Sequence, residues 1–255
     1  MLRRAAFALI LPLCAGSALA DPFASEWAPS LKSSARLVAG ENATAGVQIK
    51  LAPGAITYWR DPGDAGAPPT FDFAASTNLK SADVRYPAPR RIAEADQSVA
   101  FGYDKDVLFP VALTPVDPAK PIGLKLAMTY AVCEKICLPA RASLSAVVTP
   151  GVSSPYAPTI ATAEALTPKP IDPDAVPLAI DKSAARLCST KPLGADPALF
   201  IEGPEGWIAR AEPDPAVDGC FVVKVVEKPQ SLVGAAHARL TFVGAAGAFE
   251  TTADF

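Results

Sequence analysis

The chain has 255 residues, 27 prolines, five cysteines, a single histidine and a formal net charge of −3. Proline at roughly twice its usual frequency of about 5% argues against helical bundles and coiled coils. One histidine excludes a His-rich metal centre and leaves His237 as the sole candidate base for a Ser-His-Asp site. An acidic chain with no basic run has no electrostatic footprint for nucleic acid.

Arg3 and Arg4, an apolar run from Ala5 to Leu13 and the small-residue site Ala18-Leu19-Ala20 form the three parts of a secretory signal, so residues 1–20 are expected to be cleaved. The run is about half the roughly 20 residues that a membrane span needs. Leu13 is too bulky for a lipoprotein site at Cys14. Loss of this segment removes two arginines and Cys14, leaving 235 residues, a net charge of −5 and four cysteines. No later stretch reaches spanning length, so a soluble exported protein in the periplasm is expected. In that oxidising compartment four cysteines read first as two disulfides.

Residues 21–149 are expected to form a β-sandwich. Val47–Leu51 alternates apolar and polar side chains, the period of a half-buried strand. Ile56–Trp59 is β-branched and aromatic and runs into Asp61-Pro62-Gly63-Asp64-Ala65-Gly66, a segment of strong turn formers. Val107–Phe109, Leu124–Tyr130 and Ala142–Val148 continue the strand pattern. Tyr58 and Trp59 are assigned to packing in the sandwich core or at its edge, and Gly63 and Gly66 to the turn. Asn42-Ala43-Thr44 is a glycosylation-type triplet that matters only in a glycosylating host.

Residues 150–177 are proline-punctuated and are expected to be a semi-rigid linker lying against the surface, with a turn or two of helix at Ala161–Leu166. Residues 178–255 then offer six strands: Ala185–Ser189, Ala198–Glu202, Trp207–Arg210, Cys220–Val226, Ala238–Val243 and Phe249–Ala253. The expected fold is therefore all-β, with two immunoglobulin-like sandwich domains joined by a Pro-rich linker.

The four remaining cysteines divide by spacing. Cys188 and Cys220 lie 32 residues apart, each beside an expected strand. Closing that loop would stabilise by roughly 3.7 kcal/mol in the chain-entropy model, which suits a structural disulfide. Cys133 and Cys137 flank the three residues Glu134-Lys135-Ile136. A hairpin there would set the two cysteines face to face, at the Cα separation of about 4.5–5.5 Å found in antiparallel pairs and within disulfide range. So short a loop gains only roughly 2 kcal/mol from closure. Spacing alone leaves two readings open, an inert hairpin staple and a redox pair. Lys135 between the two sulfurs favours a thiolate, and Ile136 and Leu138-Pro139 point to Cys137 as the more shielded sulfur. Glu134 reads as a solvated turn residue and His237 as a surface or strand-edge residue. Zinc would need ligands drawn from both halves. No metal site or cofactor is expected, although two reduced thiolates suit Cu(I) and leave open a copper-tolerance role. Met128 is the only methionine beyond the signal.

Three stretches carry a family resemblance: Pro53 to Gly66; Tyr86-Pro87-Ala88-Pro89-Arg90 with Phe101-Gly102-Tyr103-Asp104; and Tyr130 to Pro139 with its Cys-x-x-x-Cys-Leu-Pro. In these the chain from about Leu37 to Val148 resembles the N-terminal periplasmic domain of the DsbD/ScsB thiol:disulfide interchange proteins. The resemblance implies an immunoglobulin-like domain that passes two electrons through Cys133 and Cys137 to periplasmic thioredoxin-like partners. It also implies a membrane electron donor, and a cap loop matching about Glu94 to Tyr103, with Phe101 or Tyr103 as the cover. The sequence ends at Phe255 without a membrane or thioredoxin-like domain, so a separate reductant is expected. The competing reading is a non-catalytic adaptor whose disulfides stay inert.

Overall fold

A computed structural model describes residues 21–94, 98–175, 178–181 and 185–255. The expected signal segment and Cys14 lie outside the described residues, as do residues 95–97 of the expected cap loop. Among the described residues the fold is all-β, with one short helix and one 3-10 turn. The first strands are β1 (Ala28–Ser30), β2 (Ser33–Ala39), β3 (Thr44–Leu51), β4 (Ile56–Gly63), β5 (Thr70–Asp72) and β6 (Leu79–Val84). They are followed by β7 (Arg90–Ala93), β8 (Val99–Tyr103), β9 (Val107–Pro115), β10 (Ile122–Cys133) and β11 (Cys137–Val148). Two sheets result, ordered β1-β2-β3-β9-β6 and β11-β10-β4-β8-β7, with β5 joined to β10.

Strand alternation builds the core between these sheets. Along β10, Leu124, Leu126, Met128, Tyr130 and Val132 point inward and are buried, while Lys125, Ala127 and Thr129 face out and are exposed. The pattern changes at the end of the strand, where the outward-facing Ala131 and Cys133 are also buried. Something therefore covers the outer face there. Ile56 and Tyr58 of β4 supply this cover, with Ala100 of β8. Past Tyr58 the strand continues through the expected turn to Gly63 and bulges, so that residues 59–62 oppose only Phe101 of β8.

Beyond β11, α1 (Ala157–Ala165) begins four residues before the expected helical turn. Pro158 lies in its first turn, where a missing N–H removes no helical hydrogen bond. Ile160 and Ala163 bury against Val38 and Leu108. Then follow β12 (Lys169–Pro170), β13 (Leu178–Asp181), β14 (Arg186–Ser189), β15 (Ala198–Glu202), β16 (Ile208–Pro213), β17 (Cys220–Glu227), β18 (His237–Gly244) and β19 (Gly247–Asp254). They form the sheets β12-β19-β18-β15 and β13-β14-β17-β16 around Leu187, Leu199, Phe221, Leu240 and Phe242. Of the strands after α1, β12 and β13, short and beside prolines, are the two that periodicity did not mark; before it, β1, β2 and β5 to β8 were also unmarked.

The two pairs of sheets are in contact. Phe200 of β15 packs 5.5 Å from the Trp59 ring and 4.9 Å from Phe101, closing the first core. Arg60 stacks over Trp59 at 4.2 Å. Its guanidinium donates to the Glu202 carboxylate at 2.9 and 2.7 Å and also to Glu250. Burial alone would pull the Arg60 guanidinium down, but the two carboxylates hold it above its ordinary value. Arg91 donates to the Ala211 carbonyl and pairs with Glu212, and Arg210 pairs with Asp64.

Candidate functional site

Cys133 and Cys137 are register partners in the β10–β11 hairpin, with Cα atoms 4.1 Å apart, and their sulfurs are bonded. Glu134, Lys135 and Ile136 are exposed at the tip, as the hairpin reading expects. The two sulfurs differ in environment. Cys133 is only 3% exposed, packed with Ile56, Tyr58 and Ala131 on the outer face of the sheet. Cys137 is exposed. Apolar sequence neighbours pointed to Cys137 as the shielded sulfur, and the structure reverses this. Cys137 opens β11, the edge strand of its sheet, and stands outside the Ile56–Tyr58 cluster.

The side chain at the bond is Tyr58. Its fully buried hydroxyl donates to Cys133 Sγ at 2.7 Å and lies 3.4 Å from Cys137 Sγ. The sandwich core or its edge was the expected place of both Tyr58 and Trp59: Trp59 lies in the core between the sheets, and Tyr58 is equally buried but on the outer face of its sheet. Neighbouring residues of a strand point to opposite faces, so two adjacent aromatics cannot share one core. That alternation was the available signal. Gly66 covers the Tyr58 ring: a Cβ there would fall 2.2 Å from Tyr58 Cζ, and its φ of +97° suits glycine.

Phe101 and Tyr103, the expected cap residues, are placed elsewhere. Both face the inner core on β8, while the outward positions are Ala100 and Gly102. Tyr103 packs against Phe109 at 5.5 Å and donates its hydroxyl to the Pro87 carbonyl at 2.8 Å. Glu134 is paired with Lys32 at 2.8 Å, which holds its carboxyl below the usual range. A cleft of about 470 Å³ is lined by Cys137, Pro139 and Arg141 together with Gly66, Ala67 and Pro68.

Cys188 and Cys220 are also bonded register partners, on β14 and β17. Cys220 is 5% exposed, beside Phe221 of the second core. His237 is exposed and pairs with Asp254 at 2.8 Å. Among the described residues, no group of three or more His, Cys, Asp and Glu is placed to hold a metal, and no helix is long and apolar enough to cross a membrane.

Residues 28–149, from β1 to the end of β11, match the family described as thiol:disulfide interchange protein DsbD, N-terminal. This segment belongs to the DsbD N-terminal family. Among solved structures, the chain is similar to the N-terminal periplasmic domain of ScsB from Proteus mirabilis, at 18% identity and a TM-score of 0.72, over 92% of this chain and 99% of that one. The shared fold therefore extends past the DsbD-type segment into the second pair of sheets. No curated protein matches the chain.

Proposed function

We propose that the chain is a periplasmic thiol:disulfide interchange protein that exchanges two electrons through Cys133 and Cys137. The observation that carries this reading is the asymmetric bond, with one sulfur exposed, the other buried, and a tyrosine hydroxyl at both. A partner thiolate attacks the exposed Cys137 Sγ, forming an intermolecular S–S bond as the Cys133–Cys137 bond breaks. The electron pair leaves on Cys133 as a thiolate, 2.7 Å from the Tyr58 hydroxyl in the oxidised geometry. A hydrogen bond to a charged group is among the stronger ones, so the hydroxyl favours this leaving group. The partner's second thiolate then attacks its own sulfur in the mixed disulfide and releases Cys137. The pair is left reduced and the partner disulfide-bonded. In reverse, the Cys137 thiolate attacks an oxidised partner and Cys133 resolves the complex.

Family membership supports thioredoxin-like proteins as partners and a separate membrane electron donor; the sequence pattern of residues 1–20 supports reading them as the export signal. The four sheets support a reading as two immunoglobulin-like domains, 21–149 and 178–255, bridged by the proline-rich stretch 150–177. Cys188–Cys220 is read as the structural disulfide of the second. Phe101 and Tyr103 then shape the site only from beneath, through the strand that carries Gly102.

Trapping tests the assignment. The Cys133→Ala variant, which keeps the accessible sulfur, is expected to accumulate mixed disulfides with thioredoxin-like proteins, and the Cys137→Ala variant is not. Absence of adducts from both variants would refute interchange through this pair.

A further inference from the structure

The residue that touches both sulfurs is held in place from the other half of the molecule. Tyr58 is covered by the backbone at Gly66, in the loop that leaves β4. That loop is anchored two residues earlier, at Asp64. Asp64 N donates to the Val99 carbonyl at 3.0 Å, and Val99 N donates to Asp64 Oδ2 at 3.0 Å, tying the loop to β8. The other carboxylate oxygen, Oδ1, turns away from β8 and accepts from Arg210 Nε of β16 at 2.8 Å. Arg210 is itself seated, with its guanidinium carbon 5.5 Å from the Phe101 ring. Asp64 is thus shared, one oxygen for each pair of sheets.

We propose that the second pair of sheets sets the reactivity of Cys133–Cys137 through the Arg210–Asp64 ion pair, which holds the 61–66 loop down on Tyr58. This rests on the interchange reading of the cysteine pair and names what regulates it. Arg210 and Asp64 are positioning residues, since neither touches sulfur. They act by fixing the loop that fixes the tyrosine ring. Without that roof the ring gains freedom toward solvent, and its hydroxyl spends less time at the sulfur that must leave as thiolate.

The pair's surroundings agree with this role. Burial raises the Asp64 carboxyl, and the hydrogen bonds from Arg210 and Val99 N–H more than reverse that, leaving it below its ordinary value. Arg91, reaching from β7 to the Ala211 carbonyl next to Arg210, fixes the same edge of β16.

The test uses the full chain with Cys133 and Cys137 reduced chemically and Cys188–Cys220 left intact, as checked by thiol labelling and mass. The readouts are the pH midpoint of ultraviolet thiolate absorbance and the rate at which dithiothreitol reduces the reoxidised pair. In Arg210→Ala the midpoint is expected to rise by about one pH unit, with reduction slowed to match. Asp64→Asn, which keeps the loop's size and polarity, is expected to shift it the same way, and Arg210→Lys to recover part of the loss. In a Tyr58→Phe background, Arg210→Ala is expected to change nothing further, because both act through one hydroxyl. Wild-type midpoints in both Arg210→Ala and Asp64→Asn would overturn the proposal, as would an undiminished shift in the Tyr58→Phe background. Failure of the wild-type pair to exchange with any protein dithiol would refute the interchange reading instead. The titration of chemically reduced protein would still decide the positioning claim.

Discussion

Tyr58 Oη lies 2.7 Å from Cys133 Sγ and 3.4 Å from Cys137 Sγ, so one buried hydroxyl meets both atoms of the Cys133–Cys137 bond. The Tyr58→Phe substitution removes that hydroxyl and little else. Reduction by dithiothreitol at neutral pH is expected to slow about tenfold, the effect of losing one charge-assisted hydrogen bond from the leaving thiolate. Stopped-flow quenching with a thiol reagent measures it. A rate equal to the wild type would remove Tyr58 from the mechanism.

The roof over that ring has no space for a side chain. In Gly66→Ala the new Cβ meets the Tyr58 ring at 2.2 Å, on backbone with φ of +97°. Strain and displacement together predict a loss of about 1–3 kcal/mol in urea unfolding. Altered tyrosine fluorescence in the folded protein is expected to accompany it. An unfolding midpoint within error of the wild type would show that the loop yields freely.

Much of this arrangement was legible in the sequence, and the remainder has physical reasons for being hidden. The turn Glu134-Lys135-Ile136 between strand-like runs was enough to place Cys133 opposite Cys137, because hairpin register follows from loop length. Strands such as Ala198–Glu202 coincide with their expected bounds, since alternation is a local property. Which sulfur is exposed depends on sheet order and on the packing of Ile56 and Tyr58 over Cys133, neither of which short-range patterning encodes. The same holds for Arg210 and Asp64, 146 residues apart in the chain and joined only when the two pairs of sheets meet. Pro62 and Gly63 read as turn formers and do form a bend, but as a bulge that continues the strand.

Arg60 is a half-buried cation between the halves, beside Arg91 and Arg210. Its side chain is 19% exposed, and those of Glu202 and Glu250 are 20% and 17% exposed. Arg60→Ala leaves the two carboxylates without their counter-charge and is expected to cost about 1.5–3 kcal/mol in chemical denaturation. Glu202→Gln, which keeps a hydrogen-bond acceptor, is expected to cost less. The reverse order of these two losses would contradict the ion-cluster description.

Acid is expected to loosen the contact between the halves, with a defined sign. Asp64 titrates below its ordinary 3.8 in the folded protein. Its contribution is therefore full above the unfolded value and is lost as pH falls through the folded one. Asp61 has the opposite sign. Burial raises its carboxyl, against the Gly63 N–H and Arg210, so the stability it adds at low pH is lost as pH rises through its folded value. Asp64→Asn is expected to flatten the acid limb of a stability–pH curve, and Asp61→Asn to raise the neutral plateau. Thermal melting across the acid range measures both, and unchanged curves would show the two carboxyls to be uncoupled from folding.

On the interchange reading, one disulfide is exchangeable and the other is structural. Equilibration of the full chain in graded glutathione buffers, followed by thiol labelling and mass analysis of each cysteine, tests it directly. The predicted result is a Cys133–Cys137 midpoint above about −300 mV, with Cys188–Cys220 oxidised throughout the same range. A Cys133–Cys137 pair that stays oxidised beside Cys188–Cys220, with a midpoint well below about −300 mV, would make it a hairpin staple and contradict the account.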